Sequence, residues 1–327
     1  MPNLYAHYLT AARSLVLIEN TELGALLIRH RQAYNLGAQG PDIFFYYRAW
    51  PWTPGPRLVW LANLLHKEKV AAFYRAGLAY IRAATGAQQR ILTAYLCGYA
   101  HHHALDARAH PYIIYKTGDF TLPGAAGQRS GQAHRRFEAT IDACLLKRET
   151  GQEPPWLRSQ NLLDVTPEDA RAIGDMYAQV VPQVYGQTVT STQVQTAISD
   201  SQQIVASLLD RGPSPAWLLV QILARLDRSG TVESARPRRC DDDGHHCLNL
   251  QHSTWHLPWD YSTLQTTSFL NLMDEAIGDG QRMMMALTAA ITRDADGADF
   301  SADNRSFDTG LDCSQRVQLR FFDPAVT

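Results

Sequence analysis

No apolar run in this chain approaches the length of about eighteen residues that a membrane-spanning helix needs. An excess of either charge is also missing. The 30 Lys and Arg and 32 Asp and Glu are scattered, so no basic tract points to nucleic acid or an anionic surface. Cysteine is scarce: Cys97, Cys144, Cys240, Cys247 and Cys313 are odd in number and widely spread, as expected of reduced thiols rather than a disulfide framework. The stretch from Met1 to His7 lacks the basic region and continuous apolar core of a signal peptide, so a cytoplasmic location is the expectation. Alternating strand patterns and internal repeats are almost absent, and the expected fold class is all-α. At 327 residues and 45% hydrophobic content, the chain can bury a sizeable core without covalent staples.

What the sequence does hold is a concentration of histidine. In His101-His102-His103-Ala104-Leu105-Asp106-Ala107-Arg108-Ala109-His110-Pro111, the residues His102, Asp106 and His110 recur at i, i+4 and i+8. On a helix they fall within about 80° of one face. Three consecutive histidines point in three directions, so at least one faces away from any site. Imidazole and carboxylate are ligands that Zn²⁺ accepts, and a carboxylate between two histidines can also bridge two ions. Pro111 disfavours helical geometry at His110, which predicts that the stripe ends a helix and reaches into a cleft. Downstream, His134 and Glu138 repeat the i, i+4 pairing, with Phe137, Ile141 and Leu145 as an apolar stripe at helical spacing. Two such pairs point to a metal site.

In chain order, residues 8–33 read as one or two helices weakened at Gly24. In the Gly/Pro-rich loop after them, Asp42 reads locally as a helix N-cap. Residues 48–57 are irregular, and the cluster Tyr46, Tyr47, Trp50 and Trp52 reads as core rather than as a platform for stacking bases. Helical periodicity from Leu58 to Tyr80 contains His66. Ile91, Leu92, Tyr95, Leu96 and Tyr99 lead into the histidines on one apolar helix, with Cys97 in its core, so the histidines emerge from buried surroundings and need partners. Gly118 to Gly131 reads as a flexible connection, and Pro154-Pro155 marks a boundary. Thr166-Pro167-Glu168-Asp169 starts a helix, with patterns running to Leu209 and again from Trp217 to Leu226. Ser229 to Gly244 is a polar loop, in which Cys240 to Cys247 reads as a solvated acidic turn outside any active site, and residues 262–292 form a final helix. The expected organisation is one domain over 1–327, with a metal-site half (1–150) and a helical half (155–327) packed on it.

Taken together, these residues resemble the bacterial zinc-dependent phospholipase C family. The points of match are His7, Gly40-Pro41-Asp42, His66, His102-x3-Asp106 followed by His110-Pro111, and His134-x3-Glu138. Asn249-Leu250-x-His252-x-x-Trp255 and the segment Asn304 to Leu311 match later in the chain, so the resemblance spans most of it. It implies a multihelical single domain holding two or three zinc ions in a cleft. One would be held by Asp42, His66, His102 and Asp106, with His103 able to substitute for His102. A second would be held by His110, His134 and Glu138, and a third by His7, Asp106 and the chain's own N-terminal amine and carbonyl. The implied activity is zinc-dependent hydrolysis of a phosphodiester, a phospholipase C-like cleavage of a glycerophospholipid or related phosphoester by zinc-activated water. Asp42 would orient or deprotonate that water, and Asp106 would bridge two ions. The implied partners are a phospholipid or other small phosphodiester, with peripheral membrane contact and no nucleic acid. Fungal single-strand nucleases share the fold and much of the ligand set, so a nuclease or phosphatase is the rival enzyme reading. A degenerate member that keeps zinc only for folding is the non-catalytic one. In three respects the chain departs from the family: Asp106 and His110 are closer in sequence than in the secreted enzymes, Met1 lies only six residues before His7 so that the third site depends on its removal, and the aromatic residue that follows the loop Asp in choline-lipid enzymes is Ile43 here.

Overall fold

A computed structural model describes residues 4–151, 160–209, 212, 214–227, 230–240, 244–292 and 304–323. The N-terminal part comprises α1 (Leu4–Ile18), α2 (Glu22–Arg29), α3 (Arg31–Gly37), a 3₁₀ turn (Gly40–Asp42), α4 (Ile43–Tyr46), α5 (Val59–Lys67) and α6 (Val70–Ala83). Two long helices come next, α7 (Gly86–Thr117) and α8 (Gly124–Thr150). After them the chain forms α9 (Gln160–Leu163), α10 (Pro167–Tyr185), α11 (Ser191–Leu208), α12 (Pro215–Leu226) and α13 (Thr231–Ser234). A hairpin of β1 (Trp255–Leu257) and β2 (Asp260–Gln265) leads into α14 (Phe269–Thr292). Among the described residues the fold is all-α apart from that antiparallel hairpin and an isolated bridge between Arg305 and Asp312.

Local chemistry sets the starts of these helices. α10 starts where the sequence predicts, with Thr166 as N-cap; Thr166 and Asp169 there form a reciprocal capping box, and Thr190 with Gln193 does the same for α11. The last helix begins later than its apolar pattern suggests. Ser268 and Asn271 cap each other's backbone N–H groups at 3.2 Å, fixing the start of α14 at Phe269. The preceding Asp260 to Gln265, which contains Tyr and Thr, pairs as a strand against Trp255 to Leu257.

The axis of the molecule is α7, against which α3, α14, α1, α8 and α10 all pack. Its crossing with α3 is backbone to backbone: a Cβ on Gly98 would lie 2.0 Å from the Tyr34 carbonyl, and one on Gly37 2.1 Å from that of Tyr95. Around this contact Tyr34, Phe73, Tyr74, Tyr95, Tyr99 and Tyr177 are fully buried, with the Tyr95 and Tyr177 hydroxyls paired at 2.9 Å. A second cluster, with Tyr112, Leu145, Trp255 and Met273, fills the space between the far end of α7 and α8.

Three expectations are corrected here. Pro111 does not end the histidine helix, which runs six residues further to Thr117. The carbonyl that Pro111 cannot serve, that of Ala107, is approached instead by Gly310, where a Cβ would sit 2.3 Å from it. The glycine-rich stretch after α7 is a short turn and then helix, since α8 already begins at Gly124; Gly127 permits close packing on the Leu122 carbonyl, 1.8 Å from where its Cβ would be. Cys144 and Cys240 form a disulfide, tying α8 to the segment after α13, and the buried Cys247 thiol lies 3.5 Å from the Cys144 sulfur. The ends of the Cys240 to Cys247 segment are therefore core rather than a solvated turn, while Asp241 to Asp243 lie outside the described residues.

Candidate metal centre

Asp106 sits in the middle of four imidazoles and is almost completely buried. Its Oδ2 lies 3.0 Å from His102 Nε2 and 3.7 Å from His66 Nε2, while Oδ1 lies 3.3 Å from His7 Nε2 and 3.7 Å from His110 Nε2. Four elements converge to make this arrangement: α7 supplies His102, Asp106 and His110 from one face, α1 supplies His7, the end of α5 supplies His66, and α8 supplies His134 and Glu138. Glu138 Oε1 lies 3.1 Å from His134 Nε2 and 3.5 Å from His110 Nε2. Asp42 does not cap α4 with its side chain, contrary to the local reading; its carboxylate turns to His66 Nε2 at 3.2 Å.

The eight residues named from the sequence are thus brought together, and their donor atoms fall into three sets able to hold a metal ion: His7, His102 and Asp106; Asp42, His66 and His102; His110, His134 and Glu138. His102 is shared between the first two sets. The N-terminal amine lies outside the described residues.

The second ring nitrogens decide which atoms face inward. His66 Nδ1 lies 2.7 Å from the Ala62 carbonyl, His102 Nδ1 3.2 Å from that of Ala38, and His110 Nδ1 2.9 Å from that of Phe307. A carbonyl oxygen only accepts, so each Nδ1 carries a proton and each Nε2 faces the centre. This is the outer hydrogen bonding that metal-bound histidines require. His102 Nε2 is buried and makes no well-aligned hydrogen bond despite the nearby carboxylate, the condition of an atom that a metal ion satisfies.

The neighbouring histidines belong to the packing. His101 bonds the Ser14 hydroxyl and the Cys97 carbonyl, and burial lowers its pKa to about 4. His103 stacks on Phe307 at 4.2 Å and donates from Nε2 to the Arg305 carbonyl. Of the triplet, only His102 faces the carboxylates.

Electrostatics hold the carboxylates charged. Burial alone would raise Asp106, but the charges of His110, His102 and His7 keep it well below the ordinary carboxylate range. Burial likewise opposes the ionisation of Glu138, yet His134 and His110 bring it down to about 2. For Asp42 the hydrogen bond from His66 and the charges of His102 and His66 outweigh burial, and the pKa falls. Burial would lower His110, but Asp106 and Glu138 carry it up to about 10, so with no metal bound it is an imidazolium.

The zinc-dependent phospholipase C family matches residues 6–186, more than half of the chain and a span that contains all eight residues. The chain belongs to that family. No curated protein and no solved structure matches it.

In this zinc-dependent phospholipase C-type chain the centre opens into a cavity of about 510 Å³, lined on the metal side by His7, Asp42, His66, Asp106, His110, His134 and Glu138. The opposite walls are apolar, from Tyr46 and Trp50 of the α4 region, Ile204 and Leu208 of α11, and Val220 and Leu223 of α12. Lys67, Arg57 and Arg135 add cationic groups; Lys67 pairs with Asp308 at 3.1 Å, and Arg135 Nε donates to the Ser234 hydroxyl at 2.8 Å. The aromatic cluster expected in the core is divided: Tyr46 and Tyr47 are buried, whereas Trp52 is 54% exposed and stacks on Trp50.

One supporting residue escapes the sequence reading. Asp142 accepts from the backbone N–H groups of Tyr5 and Ala6 at 3.0 and 2.9 Å, fixing the first turn of α1 immediately before His7. The signal is present, because His134, Glu138 and Asp142 repeat on α8 the i, i+4, i+8 stripe that His102, Asp106 and His110 make on α7.

Proposed function

We propose that this protein is a zinc-dependent phosphodiester hydrolase that cleaves a glycerophospholipid on the glycerol side of its phosphate, as a phospholipase C does. The observation that carries the reading is the juxtaposition of inward-facing Nε2 atoms around Asp106 with a cavity whose far walls are apolar. In this reading Asp42, His66, His102 and Asp106 hold one zinc ion, His110, His134 and Glu138 a second, and His7 with Asp106 contributes to a third.

Zinc in such a site supplies Lewis acidity, acidifying water and neutralising charge on phosphoryl oxygens. The chain supplies the rest. Asp42, ionised and lining the cavity, orients the attacking water and takes its proton. Arg135, anchored through Nε, has further guanidinium donors suited to phosphate oxygens. The apolar walls exclude water and accept acyl chains, a lining better matched to lipid than to a nucleotide, and the open cavity favours catalysis over a purely structural metal.

The test is hydrolysis by the zinc-loaded protein of phosphatidylcholine, phosphatidylethanolamine and phosphatidylglycerol, beside a dinucleotide and a phosphomonoester. Diacylglycerol release is expected, falling by roughly 10²–10⁴-fold in Asp42→Asn. Cleavage of the dinucleotide alone would move the assignment to a nuclease, and no turnover of any substrate by fully loaded protein would leave a structural metal site.

A further inference from the structure

Helix α12 is unusual in having two apolar sides. Val220 and Leu223 line the cavity, while Leu218, Ile222 and Leu226, at i, i+4 and i+8, face solvent with exposures of 54, 44 and 72%. Trp217 is also exposed, and the only charged residue of the helix is the exposed Arg225. Two other segments repeat this arrangement. The segment 49–52 turns Trp50 into the cavity and Trp52 outward; the turn after α7 places Phe120 in the cavity and exposes Leu122. Among the described residues, six of the thirteen exposed large apolar side chains therefore lie on three segments that also line one cavity. The three segments thus present apolar side chains both to the cavity and to the solvent at its rim.

We infer that this rim is a docking surface for a phospholipid bilayer, with α12 lying in the plane of the lipid–water interface. The inference rests on the lipid reading of the cavity, and it adds how the substrate is reached. A 12-residue helix is too short to span a bilayer but long enough to lie in its surface, and no described helix is long and apolar enough to cross a membrane. An acidic residue on α12 would be repelled by anionic headgroups; the helix has none, and Arg225 would be attracted. A second copy of the chain seated on the rim would close the cavity mouth, whereas a bilayer delivers a diacyl substrate directly to it.

The experiment is flotation of the zinc-loaded full-length protein with vesicles of phosphatidylcholine and phosphatidylglycerol in equal parts. It is run beside hydrolysis of a short-chain phospholipid kept monomeric. Wild-type protein is expected to float. Leu218→Asp/Ile222→Asp should reduce vesicle binding at least about tenfold while leaving monomer hydrolysis and the melting temperature unchanged. Trp52→Ala, on a different segment, should weaken binding independently and keeps the test valid if the helix variant unfolds. Failure of the wild type to float, or equal binding by both variants, would overturn the inference. So would a wild-type dimer in light scattering that the substitutions dissociate, because the rim would then be an interface between copies. Vesicle binding without hydrolysis of any lipid would refute the activity while supporting the docking surface.

Discussion

Gly40→Ala is the substitution that most directly probes how the centre is built. Gly40 has φ +54°, a left-handed conformation that costs an L-residue about 1–2 kcal/mol. Its missing Cβ would also meet the His102 ring, 2.3 Å from Cδ2, 2.4 Å from Cγ and 2.7 Å from Nε2. The ring has nowhere to retreat, because His7 stacks on it with centroids 4.0 Å apart. Forcing atoms into a packed interior costs about 1–3 kcal/mol more. The combined destabilisation is then about 2–5 kcal/mol, which at roughly 2 °C per kcal/mol for a chain of this size lowers the melting temperature by about 4–10 °C. Displacement of His102 should weaken zinc binding by about 10–100-fold, the usual cost of disturbing the support of a ligand. Scanning calorimetry of metal-free protein reads the first effect, and competition against a chromogenic chelator reads the second. A lowered melting temperature with unchanged zinc affinity would show that His102 is not a ligand; no change in either would refute the geometric argument altogether.

Gly77→Ala is the matching control: this helical glycine of α6 would place its Cβ 4.0 Å from Leu96 Cδ2, so thermal unfolding should show a gain of about 0.5–1 kcal/mol from helix propensity. Asp142→Ala removes both acceptors at the start of α1 and should cost about 1–3 kcal/mol. Mass spectrometry should show loss of the ion held with His7 before the one at His134 and Glu138, and uniform loss would argue against a local effect. Without metal, His110 titrates near 10, above its ordinary value of 6.5, so its contribution to stability is complete below that lower value and fades as the pH rises through about 10. Melting curves should therefore show metal-free protein weakening across that alkaline window relative to the His110→Gln variant. Since a ligand must be a neutral imidazole, zinc binding at neutral pH should also release protons, readable by calorimetry in buffers of different ionisation enthalpy; heats independent of buffer would contradict the assignment.

The helices, the grouping of histidines with carboxylates and the start of α10 are legible in the sequence because side-chain chemistry repeats at helical spacing and because helix caps are local. The hairpin is not: Asp260 to Gln265 merges into the apolar pattern of α14, and only the Ser268–Asn271 cap separates the two. Pro111 misleads because a local rule meets a tertiary exception, the approach of Gly310 to the Ala107 carbonyl from about 200 residues away along the chain. The disulfide is hidden for the same reason, since Cys144 and Cys240 are 96 residues apart and nothing in their flanks records the meeting.

The choice among His101, His102 and His103 shows where the dividing line runs. The carbonyls that fix the ring protons, those of Ala38, Ala62 and Phe307, are backbone atoms and carry no side-chain signature. The rotation of α7 does carry one. Gly98 is the point where α3 touches α7, and it stands four residues before His102, so His102 lies on the face of α7 that meets the end of α3 and the 3₁₀ turn beyond it. One turn beyond the contact, His102 meets Ala38 and Gly40, while His101 and His103, rotated about 100° to either side, fall among Ser14 and Phe307 instead. A glycine one turn before the His102, Asp106 and His110 stripe is therefore the sequence feature that selects, from the triplet, the histidine that faces the carboxylates, through the close helix crossing that only glycine allows.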